Sequence, residues 1–343
     1  MNHHKKPSIL TLLFVFTLSL SSCMDKVKED DPLPTYPIPE GVKIGQANLG
    51  SDYGNRVYYQ LNNNTTLKTI TNSDYDLAFE SSSDGWHILL NSSRFMYAGN
   101  SGNKNFEEIT SPSGIEMSFD NSNGDLDSTA VGNWADFSIN PPLFYNEVYA
   151  IDLGLDQQGL PLGYKKTVFE TLTDNVFTIR HANMDGSSDF TIQLPKMDKR
   201  NFIGLTFDGG GAMVDFEPPT QDWDILFGQY TTMLFAEGEP YPYLVRGVLL
   251  NTAGTEAYLY EGDKDFLDVE LEDVDDSQFT SQQDVIGHEW KYYNLEEGIY
   301  TVNTQQVYFI KSIDGSVYKM HFLSYYNSDG ETGYPKFEFK KIG

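Results

Sequence analysis

The densest group of chemistry-bearing side chains in the sequence is His288-Glu289-Trp290-Lys291-Tyr292-Tyr293. Imidazole and phenolate can both ligate ferric iron, and indole and phenol rings stack on flat conjugated ligands. His288, Trp290, Tyr292 and Tyr293 are therefore the candidate ligand-contacting residues, forming the rim of a ligand site. The same run also suits a strand that buries alternate rings. Trp86-His87 with Arg94-Phe95-Met96-Tyr97 forms a second, similar group, for which core packing is the simpler reading. His181, near the turn Asp185-Gly186, and His321 read as structural histidines.

Metal and catalytic signatures are sparse. Asp120-Asn121-Ser122-Asn123-Gly124-Asp125-Leu126-Asp127 resembles a calcium loop, because a hard cation needs several oxygens on a tight turn. Val131 stands where an EF-hand would place its bidentate Glu, and a polar surface loop is the alternative. No Gly-x-Ser-x-Gly, His-Glu-x-x-His or phosphate loop occurs, so the chain does not read as an enzyme.

The N-terminus supplies an address. Lys5 and Lys6 precede a short apolar run, residues 9–20, that ends in Leu20-Ser21-Ser22-Cys23. This resembles a bacterial lipobox, so residues 1–22 are predicted to be a signal peptide and Cys23 the lipidated residue. Cys23 is the only cysteine, which excludes an internal disulfide. Lys28-Glu29-Asp30-Asp31 resembles the surface-export signal of Bacteroidota lipoproteins, and the proline-rich remainder of 23–43 reads as a tether. The expected location is the outer membrane, lipid-anchored at the cell surface. A net charge of −27 argues against nucleic acid as a partner.

The elements that must hold these residues read as strands. The chain has 22 Tyr and 22 Phe among short apolar runs bounded by Gly, Asn and Asp, and no long helical periodicity. Asp74-Tyr75-Asp76-Leu77-Ala78-Phe79 and Asp222-Trp223-Asp224-Ile225-Leu226-Phe227 are near repeats. Residues 99–106 are echoed by 261–266, and Asp185-Gly186-Ser187 by Asp314-Gly315-Ser316. The expectation is an all-β chain of two related β-sandwich-like modules in tandem, 44–196 and 197–343.

Residues 201–342 resemble the HmuY family of Bacteroidota heme-binding lipoproteins. The matching pieces are Trp223-Asp224-Ile225-Leu226-Phe227, Val245-Arg246-Gly247-Val248, Val307-Tyr308-Phe309-Ile310-Lys311, Lys319-Met320-His321-Phe322 and Tyr325-Tyr326. The resemblance implies an all-β fold, heme as the ligand, and a TonB-dependent outer-membrane receptor as partner. It also implies two axial His or Met ligands, in 263–281 and 293–298. Neither stretch contains either residue, and His288, Tyr292 and Tyr293 are the nearest substitutes. The other function class is a surface β-sandwich that binds glycan or a protein partner, with calcium as a structural ion.

Overall fold

Short apolar runs between Gly, Asn and Asp turns become strands, and among the described residues the only helical ones are short 3-10 turns. A computed structural model describes residues 38–343. The expected signal peptide, Cys23 and most of the tether lie outside the described residues. The first eleven strands are β1 (Val42–Gln46), β2 (Asn55–Gln60), β3 (Thr65–Thr71), β4 (Leu77–Glu80), β5 (Ile88–Leu90), β6 (Tyr97–Asn100), β7 (Ala135–Asp136), β8 (Leu143–Phe144), β9 (Val148–Asp152), β10 (Tyr164–Thr173) and β11 (Val176–Asn183). The next eleven are β12 (Phe190–Pro195), β13 (Phe202–Thr206), β14 (Ala212–Val214), β15 (Ile225–Ala236), β16 (Glu239–Leu250), β17 (Glu256–Leu259), β18 (Lys291–Asn294), β19 (Ile299–Val302), β20 (Tyr308–Lys311), β21 (Val317–Tyr326) and β22 (Thr332–Lys341). The all-β expectation holds.

The second set repeats the first, strand for strand. One sandwich pairs the sheet β1-β22-β21-β20-β17 with β16-β15-β2-β3; the other pairs β12-β11-β10-β9-β6 with β14-β13-β4-β5. The small hairpins β7-β8 and β18-β19 also correspond. The first three strands of each set are exchanged. β1 to β3 join sheets of the second set, and β12 to β14 join sheets of the first. Strands from both sides of the 196/197 division therefore build each sandwich, and Glu40–Gly343 forms one unit. The physical reason is strand pairing: β2 completes the sheet of β15, and β13 completes that of β4.

The inner sheets are buried on both faces, which is why their strands read as continuous apolar runs. Val57 and Tyr59 face one sandwich core, while Tyr58 faces the layer between the sandwiches. Leu77 and Phe79 face the other core, and Ala78 shares that middle layer with Tyr58, Trp223 and Leu226.

The repeated Asp pins the exchange. Phe207 N–H donates to Asp76 Oδ2 at 2.6 Å, and Leu61 N–H donates to Asp224 Oδ2 at 2.7 Å. Each carboxylate thus receives a strand from the opposite set. Asn91 Nδ2 donates to the Asn72 and Tyr75 carbonyls, as Asn251 Nδ2 donates to those of Thr220 and Trp223. The Asp-Gly-Ser turns are a different matter. Asp185-Gly186 joins β11 to β12, whereas Asp314-Gly315 joins β20 to β21, so these turns do not correspond. Asp-Gly recurs there because both tight hairpins need a glycine at positive φ, +84° in each.

Candidate functional site

The hairpin β18-β19 carries the cluster singled out above, and alternation distributes its side chains. Trp290, just before β18, is buried in the second core and stacks on Phe322 with centroids 3.9 Å apart. Its Nε1–H donates to the Gly287 carbonyl at 3.2 Å. Trp134 does the same in the first set, donating to the Trp86 carbonyl at 3.0 Å. Trp290 is therefore a repeated core residue, and the expectation that it contacts ligand is corrected. The indole is consumed by packing.

Tyr292 and Tyr293 are 58% and 49% exposed. As neighbours on one strand they face opposite ways. Tyr293 pairs across the hairpin with Tyr300, with ring centroids 5.0 Å apart, and both line a cleft of about 460 Å³ with Tyr53 and Tyr326. Tyr292 and His288 are not among its lining residues. His288 is half-buried, and its pKa is pushed down first by burial and then by the Lys291 charge.

Two cations stand behind the tyrosines. Lys291 Nζ lies 4.2 Å from the Trp290 ring centroid and 4.8 Å from that of Tyr325, and it donates to the Arg246 carbonyl. Burial, followed by the charge of Arg246, pushes its pKa down to about 7. The Arg246 guanidinium lies 4.6 Å from the Tyr53 ring centroid, and its Nε has no partner. Tyr53 is held at a positive φ of 58° by Asn72, whose Nδ2 donates to its carbonyl at 2.9 Å. Its ring lies parallel to that of buried Tyr325, whose hydroxyl is unpartnered. Tyr326 is a brace: its hydroxyl accepts from Tyr300 N–H at 2.6 Å and donates to the Tyr300 carbonyl at 3.2 Å.

The result is an aromatic cleft with the hydroxyls of Tyr293 and Tyr300 unengaged and positive charge behind it. Its rings can stack on a flat conjugated ligand, and Glu331 also lines it. In the first set, Ala135 takes the place of Lys291 after the core tryptophan, and Phe137 takes that of Tyr293. Phe137 packs on Trp86 and Trp134, each with centroids 5.2 Å apart, so no such cleft opens there.

The other sequence candidates are structural. His87 Nδ1 contacts Glu80 at 2.5 Å and Met96 is buried in the core. His181 contacts the Gly210 carbonyl at 3.1 Å, and His321 bridges the Thr304 carbonyl and Glu338. In the calcium-like loop, Asp120 accepts from Leu90 and Ala130 N–H groups at 2.5 and 2.8 Å. Among the described residues, no three His, Cys, Asp or Glu side chains converge on a point.

The HmuY protein family matches residues 52–339. The chain belongs to the HmuY family. Among solved structures, apo PinO from Porphyromonas gingivitis is 10% identical over 88% of this chain and 97% of its own, with a TM-score of 0.26. The apo HmuY analog of Tannerella forsythia is 13% identical over 88% and 96%, with a TM-score of 0.24. An HmuY-like protein of Bacteroides vulgatus, described as heme-binding, is 14% identical over 52% and 92%, with a TM-score of 0.20. No curated protein matches the chain. In this HmuY-family member the stretch 293–298, one of the two expected axial positions, covers the end of β18 and the turn before β19, and Tyr293 and Gly298 line the cleft. The other, 263–281, does not line it. Among the described residues, no helix is long and apolar enough to cross a membrane.

Proposed function

We propose that this HmuY-family chain captures heme, or a related iron chelate, in the tyrosine cleft and passes it to a TonB-dependent outer-membrane receptor. Transfer occurs by proximity and mass action, without chemistry on the ligand. A lipid on Cys23 holds the protein at the outer membrane, facing the cell exterior. The observation that carries this reading is the cleft itself: Tyr293 and Tyr300 face one volume, with Arg246 and Lys291 behind it, in only one of the two repeated sandwiches.

A tyrosinate can be the axial ligand of ferric heme. Burial and then Tyr53 raise the Tyr300 pKa against the smaller opposing pull of Arg246, so the free side chain stays a phenol and the phenolate would form only on ligation to iron. The tip of β15-β16 adds an apolar surface for a receptor: Met233, Phe235, Tyr241 and Tyr243 are exposed there. The test is a titration of ferric heme into the purified protein, followed by absorbance. A saturable Soret shift is expected; its absence at micromolar protein would remove heme from the account.

A further inference from the structure

The two sets of strands agree at structural positions, so the places where they differ are informative. The tyrosine cleft is one difference. The second is the connection before β10. In the second set, β20 and β21 are joined by the short turn 312–316, and the Ser312 hydroxyl donates to Asp224 Oδ1. In the first set, β9 and β10 are joined by the much longer loop 153–163, and Arg94 takes the place of that serine, donating to Asp76 Oδ1 at 2.5 Å.

The longer loop closes over a cleft of about 410 Å³, within the usual ~300–1,000 Å³ of small-molecule sites. The loop is held deliberately. Leu155 N–H donates to the Arg94 carbonyl at 2.8 Å, and Gly154 at φ +70° lies so close to that carbonyl that a Cβ would sit 1.9 Å from its oxygen. Asn72 is 6% exposed and the Arg94 side chain 10%. Both line the cleft, and each keeps one buried polar atom without a partner: Asn72 Oδ1 and Arg94 Nε.

The lining defines the ligand class. Arg94 is paired with Asp76, and the carboxylates of Asp156 and Asp208 also line the cleft beside Lys165, so the lining carries no excess of positive charge for an anion. Leu153, Leu162 and Phe207 form an apolar wall, while Gln158 and Gln229 bring amides. Amides, the carboxylates of Asp156 and Asp208 and an apolar wall match a group whose hydroxyls both give and take hydrogen bonds and whose ring has a C–H face.

We propose that the cleft under the 153–163 loop is a second binding site, separate from the tyrosine cleft, for a neutral hydroxyl-rich ligand such as one or two sugar rings of a glycan. The test is saturation-transfer NMR on the purified protein with lactose, cellobiose, mannobiose and N-acetylglucosamine as probes. The expected result is transfer to at least one of them, with affinity falling tenfold or more in Gln158→Ala and Leu162→Trp. Both positions are exposed, so the variants fold; far-ultraviolet circular dichroism confirms it. Ferric-heme titration of the same variants is expected to match the parent, which separates this site from the one proposed above. The proposal is overturned if none of the probes shows transfer at millimolar concentration, or if transfer persists undiminished in Leu162→Trp.

Discussion

Trp290 and its neighbours show how far residue types alone can be read. The alternation in Trp290-Lys291-Tyr292-Tyr293 is visible in the sequence, but its phase is not. Packing against Phe322 puts Trp290 inside and leaves the tyrosines out. Trp290→Ala is expected to cost about 3–5 kcal/mol, the scale for deleting a buried aromatic ring, measured by denaturant unfolding. Tyr292→Ala points away from the cleft and should change stability by less than about 0.5 kcal/mol. Arg246 and Tyr326 were legible only as parts of a family pattern, because what makes them site residues is a contact made across sheets. Glu217 was not legible at all. It is buried, accepts from the Asn201 and Phe202 N–H groups, and desolvation pushes its pKa up to about 8. The folded chain therefore keeps a proton that the unfolded chain releases between about pH 4.5 and 8. That contribution to stability falls as pH rises through this window. Glu217→Gln should raise the thermal midpoint at pH 8 more than at pH 5, and equal shifts at both would refute the assignment.

At the level of elements, the aromatic-Asp strands were recognisable because a carboxylate beside three apolar residues is unusual in a core. Their partners were not, since the residues they bind, Phe207 and Leu61, are distant in sequence. The long hairpin β15-β16 was read only at its base, residues 223–227 and 245–250. Its outer part is rich in Pro, Glu and exposed rings and lacks a buried face. Asp224 accepts from Leu61 N–H and the Ser312 hydroxyl in a buried setting. Asp224→Ala leaves both donors unpaired and is expected to destabilise by roughly 3 kcal/mol or more. Asp76→Ala should do the same and also release Arg94. Unfolding midpoints of both single variants measure this. A loss below about 1 kcal/mol in either would mean that the pins do not hold the exchanged strands.

At the scale of the whole molecule, repetition was legible and exchange was not. Similar segments in the same order reveal two sets of strands, but pairing β2 with β15 and β13 with β4 is a choice among equally apolar edges. We propose that the sets arose by duplication, with the repeats running from β1 to β11 and from β12 to β22. Because each sandwich draws on both sets, residues 40–196 and 197–343 expressed separately should remain largely unfolded. Mixed together, they should recover strand structure. Circular dichroism and size-exclusion chromatography of the pieces would show this, and two independently folded halves would contradict it.

The most direct test of the central claim is to locate heme by variant. Ferric heme is titrated into the parent protein, Tyr293→Phe, Tyr300→Phe, the double variant, and His87→Ala as a control in the other sandwich. The account predicts a Soret shift that weakens in the single tyrosine variants, disappears in the double variant and is unchanged in His87→Ala. An undiminished shift in the double variant would place heme elsewhere and contradict the account.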